Sequence, residues 1–334
     1  MDLSEIGEFG LIARIAQIVG EGNAPLIKGI GDDAAVITSE PDVVTLLSTD
    51  AMVEGQHFRF DWMSPYQVGH RAAAAALSDI AAMGGQPIAL FCTLCLPSTC
   101  TVERAEQLIA GLQALAARFG ISLAGGDIVA TDGPLVVDVV ALGKAHPDAL
   151  WLREGAQAGD RVLVTGTLGN PAAAIELLLS DKSFRSAQFP QLLQSLTAPV
   201  PHLKAAAALA PIGKVHGAID ISDGLLQDAG HVATASGVAM QLRAADIPVS
   251  EQSLKCAELL GRDPLHWAAA GGEDFQLLLT APPADVPQLQ AALHALSVPL
   301  TDIGEVTPGA GVQLLDDNGD DICLVTGGWD HFRS

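Results

Sequence analysis

Apolar residues along the chain alternate between helix-like and strand-like spacing, and this alternation predicts a mixed α/β protein. Helical spacing recurs in eight segments: 3–19, 66–83, 102–119, 170–179, 201–209, 225–236, 254–270 and 287–296. Short apolar runs typical of buried strands occupy residues 43–48, 88–96, 135–142, 161–165, 275–280 and 301–306. Because the two kinds of segment interleave, we expect helices and sheets packed in layers.

Turn and capping residues sharpen some of these boundaries. Ser64-Pro65 is typical of a helix start and Gly84-Gly85 of a helix end. Gly125-Gly126-Asp127 is interpreted as a loop, and Asp317-Asn318-Gly319 predicts a type I′ turn joining strands 312–315 and 322–325. The polar segment 181–197 gives no clear pattern, so whether it is ordered stays open.

The length of the chain predicts two domains. A chain of 334 residues is long for a single hydrophobic core. Residues 144–160, which contain Pro147, Gly155 and Gly159, have the composition of a connection. We therefore expect an N-terminal domain over residues 1–146 and a C-terminal domain over residues 147–334.

Composition excludes several classes of protein. Apolar residues make up 49% of the chain, which argues against disorder. No apolar run reaches the roughly 18 residues of a membrane-spanning helix. The N-terminus lacks a secretory signal, and five cysteines is an odd number, so we expect a cytoplasmic protein with reduced thiols.

The net charge of −22 argues against binding to nucleic acid. It does not exclude a small ligand that carries phosphate, because metal ions can supply the positive charge that the chain lacks. The shortage of Lys and Arg residues in a chain with clustered carboxylates is therefore the first indication of function.

Common catalytic motifs are missing from the sequence. The chain has no GxxxxGK[ST] phosphate loop, protein-kinase signature, GxSxG elbow or HExxH helix. Cys92 and Cys95 are three positions apart in a predicted strand and should face opposite sides of the sheet, which disfavours a zinc or redox pair.

Oxygen-bearing side chains instead concentrate where strands or helices end. Six places carry them: Asp32-Asp33, Ser48-Thr49-Asp50, Asp79, Gly126-Asp127, Asp220-Ile221-Ser222-Asp223 and Glu273-Asp274. Any one of them has an ordinary interpretation as a turn or a helix cap. Six in a chain with only 17% charged residues favour a shared site. Converging carboxylates repel one another, and divalent cations such as Mg²⁺ remove that repulsion.

Residues 29–58 are central to this hypothesis, because acidic positions at both ends of an apolar run can meet on one ligand. His57, at the end of this stretch, is interpreted as either a substrate contact or a surface histidine. Arg153 is a phosphate contact or a solvated cation. Trp329 is a stacking platform or an anchor for the C-terminal tail.

Taken together, these residues resemble the bacterial thiamine-monophosphate kinase family along nearly the whole chain. The matching segments are GEFGLI at 7–12, GIGDDAAV at 29–36, STD at 48–50, GQHF at 55–58, LSDIAAMG at 77–84, GGD at 125–127, VTGTLG at 164–169, IDISDGL at 219–225, GGEDF at 271–275 and GWDHF at 328–332. The ordered set is specific, although no single motif is.

The resemblance implies a fold, an activity and a set of site residues. The fold is the two-domain architecture shared with aminoimidazole ribonucleotide synthetase, with N-terminal domains pairing in a homodimer. The activity is ATP-dependent phosphorylation of thiamine monophosphate to thiamine diphosphate. Expected Mg²⁺ ligands are Asp33, Ser48, Thr49, Asp50, Asp79, Asp127, Asp220 and Asp223. Expected ATP contacts are Gly126, Asp127, Arg153 and Ser222, and expected contacts to thiamine monophosphate are His57, Glu273 and Trp329.

The resemblance also implies direct in-line transfer with no covalent or general-base residue, because a phosphate acceptor is already ionised at neutral pH. Two other interpretations stay open. One is another ATP-dependent synthetase of the superfamily, either a selenophosphate synthetase or a synthetase that acts on a purine precursor. A selenophosphate synthetase uses a cysteine or selenocysteine in a glycine-rich N-terminal segment, and the first cysteine is Cys92. The matches at His57 and GWDHF favour the thiamine ligand over a purine precursor. The other interpretation is a non-catalytic acidic metal-binding protein.

Overall fold

The computed structural model describes residues 26–28, 32–40 and 42–324. Across this described part, twelve strands form two six-stranded sheets. The strands of the first sheet are β1 (Leu26–Lys28), β2 (Ala35–Glu40), β3 (Val43–Val53), β4 (Gln86–Pro97), β5 (Leu123–Thr131) and β6 (Val136–Ala145). Their order is β1-β2-β3-β6-β4-β5, and β4 and β5 are the parallel pair.

The second sheet is built from residues 161–315. Its strands are β7 (Arg161–Thr165), β8 (Gly217–Ile221), β9 (Ala239–Arg243), β10 (Gln276–Ala281), β11 (Leu300–Thr307) and β12 (Gly311–Leu315). They lie in the order β12-β9-β11-β7-β10-β8, with β12 and β9 parallel. The chain passes between the two sheets in residues 146–160.

Helices cover the sheets. In the described residues these are α1 (Pro65–Ala82), α2 (Val102–Arg118), α3 (Asn170–Leu179), α4 (Pro190–Thr197), α5 (Leu203–Leu209), α6 (Leu225–Ser236), α7 (Glu251–Leu260), α8 (Pro264–Ala270) and α9 (Val286–His294). None of the described helices is long and apolar enough to cross a membrane.

Helix α1 connects the two halves of the molecule. Ser64 caps its first turn: its hydroxyl oxygen accepts a hydrogen bond from the backbone N–H of Gln67. In return, the side-chain oxygen of Gln67 accepts a hydrogen bond from the backbone N–H of Ser64. Fourteen of its eighteen residues are buried, because it packs against α2, β3 and β6 on one side and against α5 and β8 on the other. A helix buried all round is expected to be apolar all round, which explains its run of alanines.

The packing of α1 on α2 is unusually close. A Cβ atom added at Gly69 would lie 1.8 Å from the Leu108 carbonyl oxygen, and one added at Gly111 would lie 1.8 Å from that of Tyr66. Glycine at both crossing points therefore lets the two backbones touch.

The hydrophobic core runs across the junction between the halves. One cluster of buried side chains extends from Ala34 through α1 to Leu300 in β11, and a second fills the far side of the C-terminal sheet. The expected mixed α/β fold with two sheets is confirmed. The division at residue 146 stays a prediction.

Several boundaries differ from the sequence predictions. Ser48-Thr49-Asp50, predicted at the end of the strand 43–48, lies inside the longer β3, and Gly125-Gly126-Asp127, predicted as a loop, lies inside β5. The predicted helix 254–270 is two helices, α7 and α8, because Gly261 adopts a left-handed conformation and ends the first. Segment 181–197 is ordered as a short 3₁₀ helix followed by α4. The predicted helix 3–19 lies outside the described residues.

The C-terminal hairpin is shorter than predicted. In the part of the hairpin that the structure describes, which ends at residue 324, a single antiparallel bridge pairs Leu315 with Asp321. Gly319 has a φ of +83°, but Asn318 does not have a positive φ, so the turn is not type I′. The Asp316 carboxylate holds it instead, accepting hydrogen bonds from the backbone N–H groups of Asn318 and Asp320.

Candidate functional site

Strand β3 sends its side chains to two different faces of the first sheet. Ser48 points to the buried side that carries α1, whereas Thr49 and Ala51 are exposed on the opposite side. This follows from the two-residue period of a strand. The stretch Ser48–Asp50 therefore cannot deliver all three side chains to one place.

On the buried side, three carboxylates from separate segments converge. Oxygen atoms of Asp33, Asp79 and Asp220 all lie within 4.8 Å of one another. Asp33 precedes β2, Asp79 is near the end of α1, and Asp220 is in β8 of the C-terminal sheet. The cluster therefore forms only when both halves of the molecule are packed together.

Hydroxyl groups and one arginine hold these carboxylates in place. Ser48 Oγ donates a hydrogen bond to Asp79, and Ser78 Oγ donates to Asp220 Oδ2 at 2.6 Å. The guanidinium of Arg153 donates to Asp33 Oδ1 at 2.7 Å. Each acid thus has one oriented partner.

Asp32 serves a different purpose from Asp33. It accepts hydrogen bonds from the backbone N–H groups of Asp33 and Arg153, at 3.0 and 3.2 Å. Burial and the neighbouring Asp33 raise the pKa of Asp32 to about 6. Its contacts fix the connection before β7 to the start of β2 and leave Asp33 to face the cluster.

The carboxylates raise one another's pKa values. Burial, followed by the charge of Asp33, raises the pKa of Asp220 to about 7. Burial and the charge of Glu273 raise that of Asp50 to about 6, and burial and Asp220 raise that of Asp79 well above its ordinary value. Proximity of like charges in a buried place favours protonation unless a cation is present.

These residues suit a hard divalent cation. All the donors are oxygen atoms, as Mg²⁺ prefers. Asp33 Oδ2 is buried, and among the described residues it has no hydrogen-bond partner. A buried carboxylate oxygen without a partner is costly, and a cation bound between Asp33, Asp79 and Asp220 would satisfy it.

The loop after β8 is held by an aspartate that the sequence predictions missed. One oxygen of Asp228, in the first turn of α6, accepts hydrogen bonds from the backbone N–H groups of Ser222, Asp223 and Gly224 at 3.0–3.1 Å. Asp223 in turn lies within 4.8 Å of Asp228 and His231. An acidic residue in a first helical turn was the only signal for Asp228.

Glu273 adopts a backbone conformation that is rare outside glycine. Its φ is +69°, and that of Phe275 is +50°. The Glu273 N–H donates to the Ser222 carbonyl at 2.7 Å, and its carboxylate forms an ion pair with Arg71 of α1. Asp274 accepts hydrogen bonds from the Gly169 N–H, so this loop is fixed to the start of α3.

His57 lies in the turn that follows β3. Its Nδ1 accepts a hydrogen bond from the Val53 N–H at 3.0 Å. From that bond we assign the proton of the neutral ring to Nε2. Nε2 is therefore the atom with which His57 can donate to an anionic oxygen.

Thr49 and Asp127 lie on the other face of the first sheet. Thr49 Oγ1 donates to Asp138 of β6 at 2.8 Å, and Asp138 and Asp127 are both register partners of Thr93 in β4. Gly126 is fixed by close packing, since a Cβ there would lie 1.9 Å from the Cys92 carbonyl oxygen. The structure does not bring Thr49 or Asp127 into the Asp33–Asp79–Asp220 cluster, and Asp138 was missed.

Most of the predicted site residues fall into three groups. Asp33, Ser48, Asp79, Asp220 and Arg153 share the buried cluster, and Thr49 and Asp127 belong to the exposed face of the sheet. Asp50, Ser222, Asp223 and Glu273 lie around the cluster, as the charges that shift the pKa of Asp50 indicate. Gly126 precedes Asp127 in β5 and is the register partner of the buried Cys92, and His57 lies in the turn after β3. Trp329 lies outside the described residues.

Comparison with known proteins identifies relatives over nearly the whole chain. Residues 31–145 match the N-terminal domain of the AIR synthase related proteins, and residues 157–317 match their C-terminal domain. Thiamine-monophosphate kinase of Escherichia coli (strain K12) is 34% identical over 98% of this chain and 99% of its own length. That of Mycobacterium tuberculosis (strain H37Rv) is 37% identical over 83% of this chain and 81% of its own.

A solved structure agrees with these relatives. AaThiL complexed with AMPPCP and TMP superposes with a TM-score of 0.84 at 31% sequence identity, and the match covers 99% of each chain. The shared fold therefore extends over nearly the whole length of both chains.

Proposed function

Since the chain belongs to the thiamine-monophosphate kinase family, we propose that it transfers the γ-phosphoryl group of ATP to thiamine monophosphate and forms thiamine diphosphate. The observation that carries this proposal is the buried carboxylate cluster between the two halves of the molecule. A strongly acidic chain can handle two anionic substrates only if cations accompany them. The similarity to AaThiL complexed with AMPPCP and TMP supports the choice of substrates.

Two sets of residues are proposed as Mg²⁺ ligands. Asp33, Ser48, Asp50, Asp79, Asp220 and Asp223 lie at or around the buried cluster. Thr49 and Asp127 lie on the opposite face of the first sheet and would need a different ion, or a bound nucleotide that spans both faces. Bound Mg²⁺ would neutralise charge on the phosphates and align them.

The remaining contacts divide between the two substrates. Gly126, Asp127, Arg153 and Ser222 are proposed to contact ATP, with Arg153 already oriented by Asp33. His57, Glu273 and Trp329 are proposed to contact thiamine monophosphate. His57 can donate from Nε2 to a phosphate oxygen, and the Glu273 carboxylate can balance the positive thiazolium ring.

The proposed reaction is a single in-line displacement. A terminal phosphate oxygen of thiamine monophosphate attacks the γ-phosphorus of ATP, the bond from that phosphorus to the β,γ-bridging oxygen breaks, and ADP leaves with the electron pair. The attacking oxygen is ionised at neutral pH, because the second pKa of a phosphate monoester is about 6. The protein therefore needs to orient and neutralise its substrates rather than remove a proton.

We also propose that two copies pair through their N-terminal domains. Strand β5 is an edge strand of the first sheet, and its side chains are exposed along nearly its whole length. Ile128 is 69% exposed, and Val129 and Phe91 of β4 are also exposed. An unprotected apolar edge favours pairing with another chain.

One assay tests the activity directly. Purified protein with ATP, Mg²⁺ and thiamine monophosphate is expected to release thiamine diphosphate and ADP in equal amounts. If no thiamine monophosphate is consumed at any metal concentration, the proposed kinase activity is wrong. Mg²⁺ binding without turnover would instead identify a non-catalytic metal-binding protein.

Variants of the carboxylates test the proposed metal site. Asp50→Asn and Asp79→Asn are expected to lower turnover by about 10²–10⁴-fold and leave folding mostly intact, because charge neutralisation is the main contribution of the site. Asp317→Asn, at an exposed acidic turn, is the matched control and should retain full activity. Normal turnover of either site variant at limiting Mg²⁺ would contradict the mechanism.

A further inference from the structure

Arg71 is a buried cation in the middle of α1. The residue is 1% exposed, and burying a guanidinium is costly unless a counter-charge accompanies it. Neither the sequence motifs nor the proposed substrate contacts assign it a role. Its neighbours therefore decide what it does.

The contacts of Arg71 cross from one half of the molecule to the other. Its Nη2 forms the ion pair with Glu273 in the loop before β10, and its Nη1 donates to the Leu196 carbonyl at the end of α4. Both partners belong to the C-terminal half. Buried Nε makes no hydrogen bond to the described residues, so the ion pair with Glu273 is the main compensation for this charge.

Glu273 needs such a partner more than an ordinary surface residue would. A positive φ costs a non-glycine residue on the order of 1 kcal/mol and persists only when surrounding contacts enforce it. One of those contacts is the backbone bond from Glu273 to Ser222. The other is the ion pair to Arg71, which fixes the direction of the carboxylate.

Arg71 also acts on the metal side of the site. The charge of Glu273 raises the pKa of Asp50, and the charge of Arg71 lowers it. The guanidinium therefore lies where it reduces the repulsion between these two carboxylates. Without Arg71, Glu273 would be expected to move away from Asp50.

We propose that Arg71 is a positioning residue that holds the Glu273 carboxylate at the acceptor side of the site and so determines affinity for the phosphorylated acceptor, but not for ATP. This inference rests on the proposed function, because it takes Glu273 as the contact to thiamine monophosphate. Arg71 acts through Glu273 and does not itself touch a substrate.

Steady-state kinetics of three variants test the proposal. Arg71→Met is expected to raise KM for thiamine monophosphate about tenfold or more, with KM for ATP within about twofold of the wild-type value, since one face of the site is affected and not the other. Arg71→Lys keeps the charge but cannot contact the Leu196 carbonyl and the Glu273 carboxylate at the same time. We therefore expect a smaller rise in KM for thiamine monophosphate. His70→Ala removes the adjacent cross-domain contact, from His70 Nε2 to the Pro199 carbonyl at 2.9 Å, and should lower thermal stability without this selective rise.

A double variant and a measurement without substrate complete the test. Arg71→Met combined with Glu273→Gln should be no worse for KM than Glu273→Gln alone, because the two residues act as one unit. In the protein without ligands, amide hydrogen exchange over residues 271–275 should be faster in Arg71→Met than in His70→Ala or the wild type.

The outcomes separate this inference from the proposed function. Equal rises in KM for both substrates, or unchanged exchange over residues 271–275, would overturn the role of Arg71 and leave the kinase activity standing. A wild-type protein inactive on thiamine monophosphate would refute the kinase, while the exchange measurement would still decide whether Arg71 positions Glu273. If Arg71→Met does not fold, Arg71→Lys carries both measurements.

Discussion

At the scale of single residues, the site consists of carboxylates whose positions are individually unfavourable. Asp33, Asp79 and Asp220 are close together and buried, and one arginine, Arg153, pairs with the first of them. Serine hydroxyls orient the other two. Such an arrangement lowers stability in the protein without metal, which is the usual exchange between stability and function at an active site.

Asp220→Asn tests this cost through its dependence on pH. The pKa of Asp220 is raised to about 7, so from about pH 4 to pH 7 the folded state holds a proton that the unfolded state has lost. The stability of metal-free wild-type protein therefore falls as pH rises through this window, by at most about 1.4 kcal/mol per pH unit for one group.

Asparagine still accepts the bond from Ser78 but has no charge to bury. Relative to the wild type in EDTA, Asp220→Asn should therefore gain stability between about pH 5 and about pH 8. Urea unfolding at the two pH values measures the difference. If the difference in stability between the variant and the wild type does not change with pH, the pKa of Asp220 is not raised by burial and by its neighbours.

At the scale of elements, several residues of the site lie in loops, and contacts to neighbouring helices hold these loops in place. Ser222 and Asp223 depend on the start of α6, because Asp228 accepts hydrogen bonds from their backbone N–H groups and from that of Gly224. Glu273 depends on α1 through Arg71, and Asp274 on the start of α3. The loops after β8 and before β10 are thus fixed by helices, whereas Asp32 and Asp33 are fixed by Arg153 in the connection before β7.

Asp228→Ala tests this dependence at the loop after β8. The substitution removes the acceptor for three N–H groups, and we expect a loss of roughly 2–4 kcal/mol in the free energy of unfolding. Turnover should fall further than the folded fraction, because Ser222 and Asp223 lose their positions.

Ser64→Ala is the control for Asp228→Ala. It removes the cap of α1 and should cost about 1 kcal/mol with little effect on turnover. Both variants are compared by urea unfolding, and by turnover at a temperature at which both are folded. Equal turnover in the two variants would show that the loop does not need Asp228.

At the scale of the whole molecule, the site lies at a junction. Helix α1 packs on both sheets, and the larger of the two hydrophobic clusters runs through it. The carboxylates come from both halves, so neither half contains the site by itself. The exposed face around β5, with Thr49, Asp127 and Asp138, adds a second polar region next to the proposed dimer interface.

Ile128→Lys tests that interface. A lysine at the centre of an apolar edge should convert a dimer into a monomer at micromolar concentration, because charged side chains on edge strands prevent pairing. Leu254→Lys changes an exposed leucine of α7 (46% exposed) and should leave the assembly unchanged. Light scattering after size exclusion measures both. A wild-type protein that is already monomeric would refute the proposed pairing.

The periodicity of apolar residues predicts the helices and strands well, but it does not predict on which face of a sheet each polar side chain lies. β7, α3 and α6 were predicted with the bounds that the structure has. Apolar spacing predicts all three, and Pro171 in the first turn of α3 and Gly237 at the end of α6 are local boundary signals. Polar residues and glycines are typical of turns, so the sequence predicts the end of a strand at Ser48–Asp50 and a loop at Gly125–Asp127, whereas the structure places both segments inside strands. Cross-strand hydrogen bonds overrode that preference.

The sequence by itself determined the mixed α/β class, the family and the set of acidic residues, because all three depend on residue types in a fixed order. Only the tertiary structure decided which acids meet. Because side chains alternate along β3, Ser48 and its neighbour Thr49 lie on opposite faces of the sheet. Asp220 joins Asp33 and Asp79 in the cluster although it is well over a hundred residues away in the sequence. Arg71 and Asp138 acquire their importance from long-range contacts, which local spacing does not encode. Asp228 binds a loop that lies close to it in the sequence, but its position in a first helical turn does not reveal that it accepts three backbone hydrogen bonds.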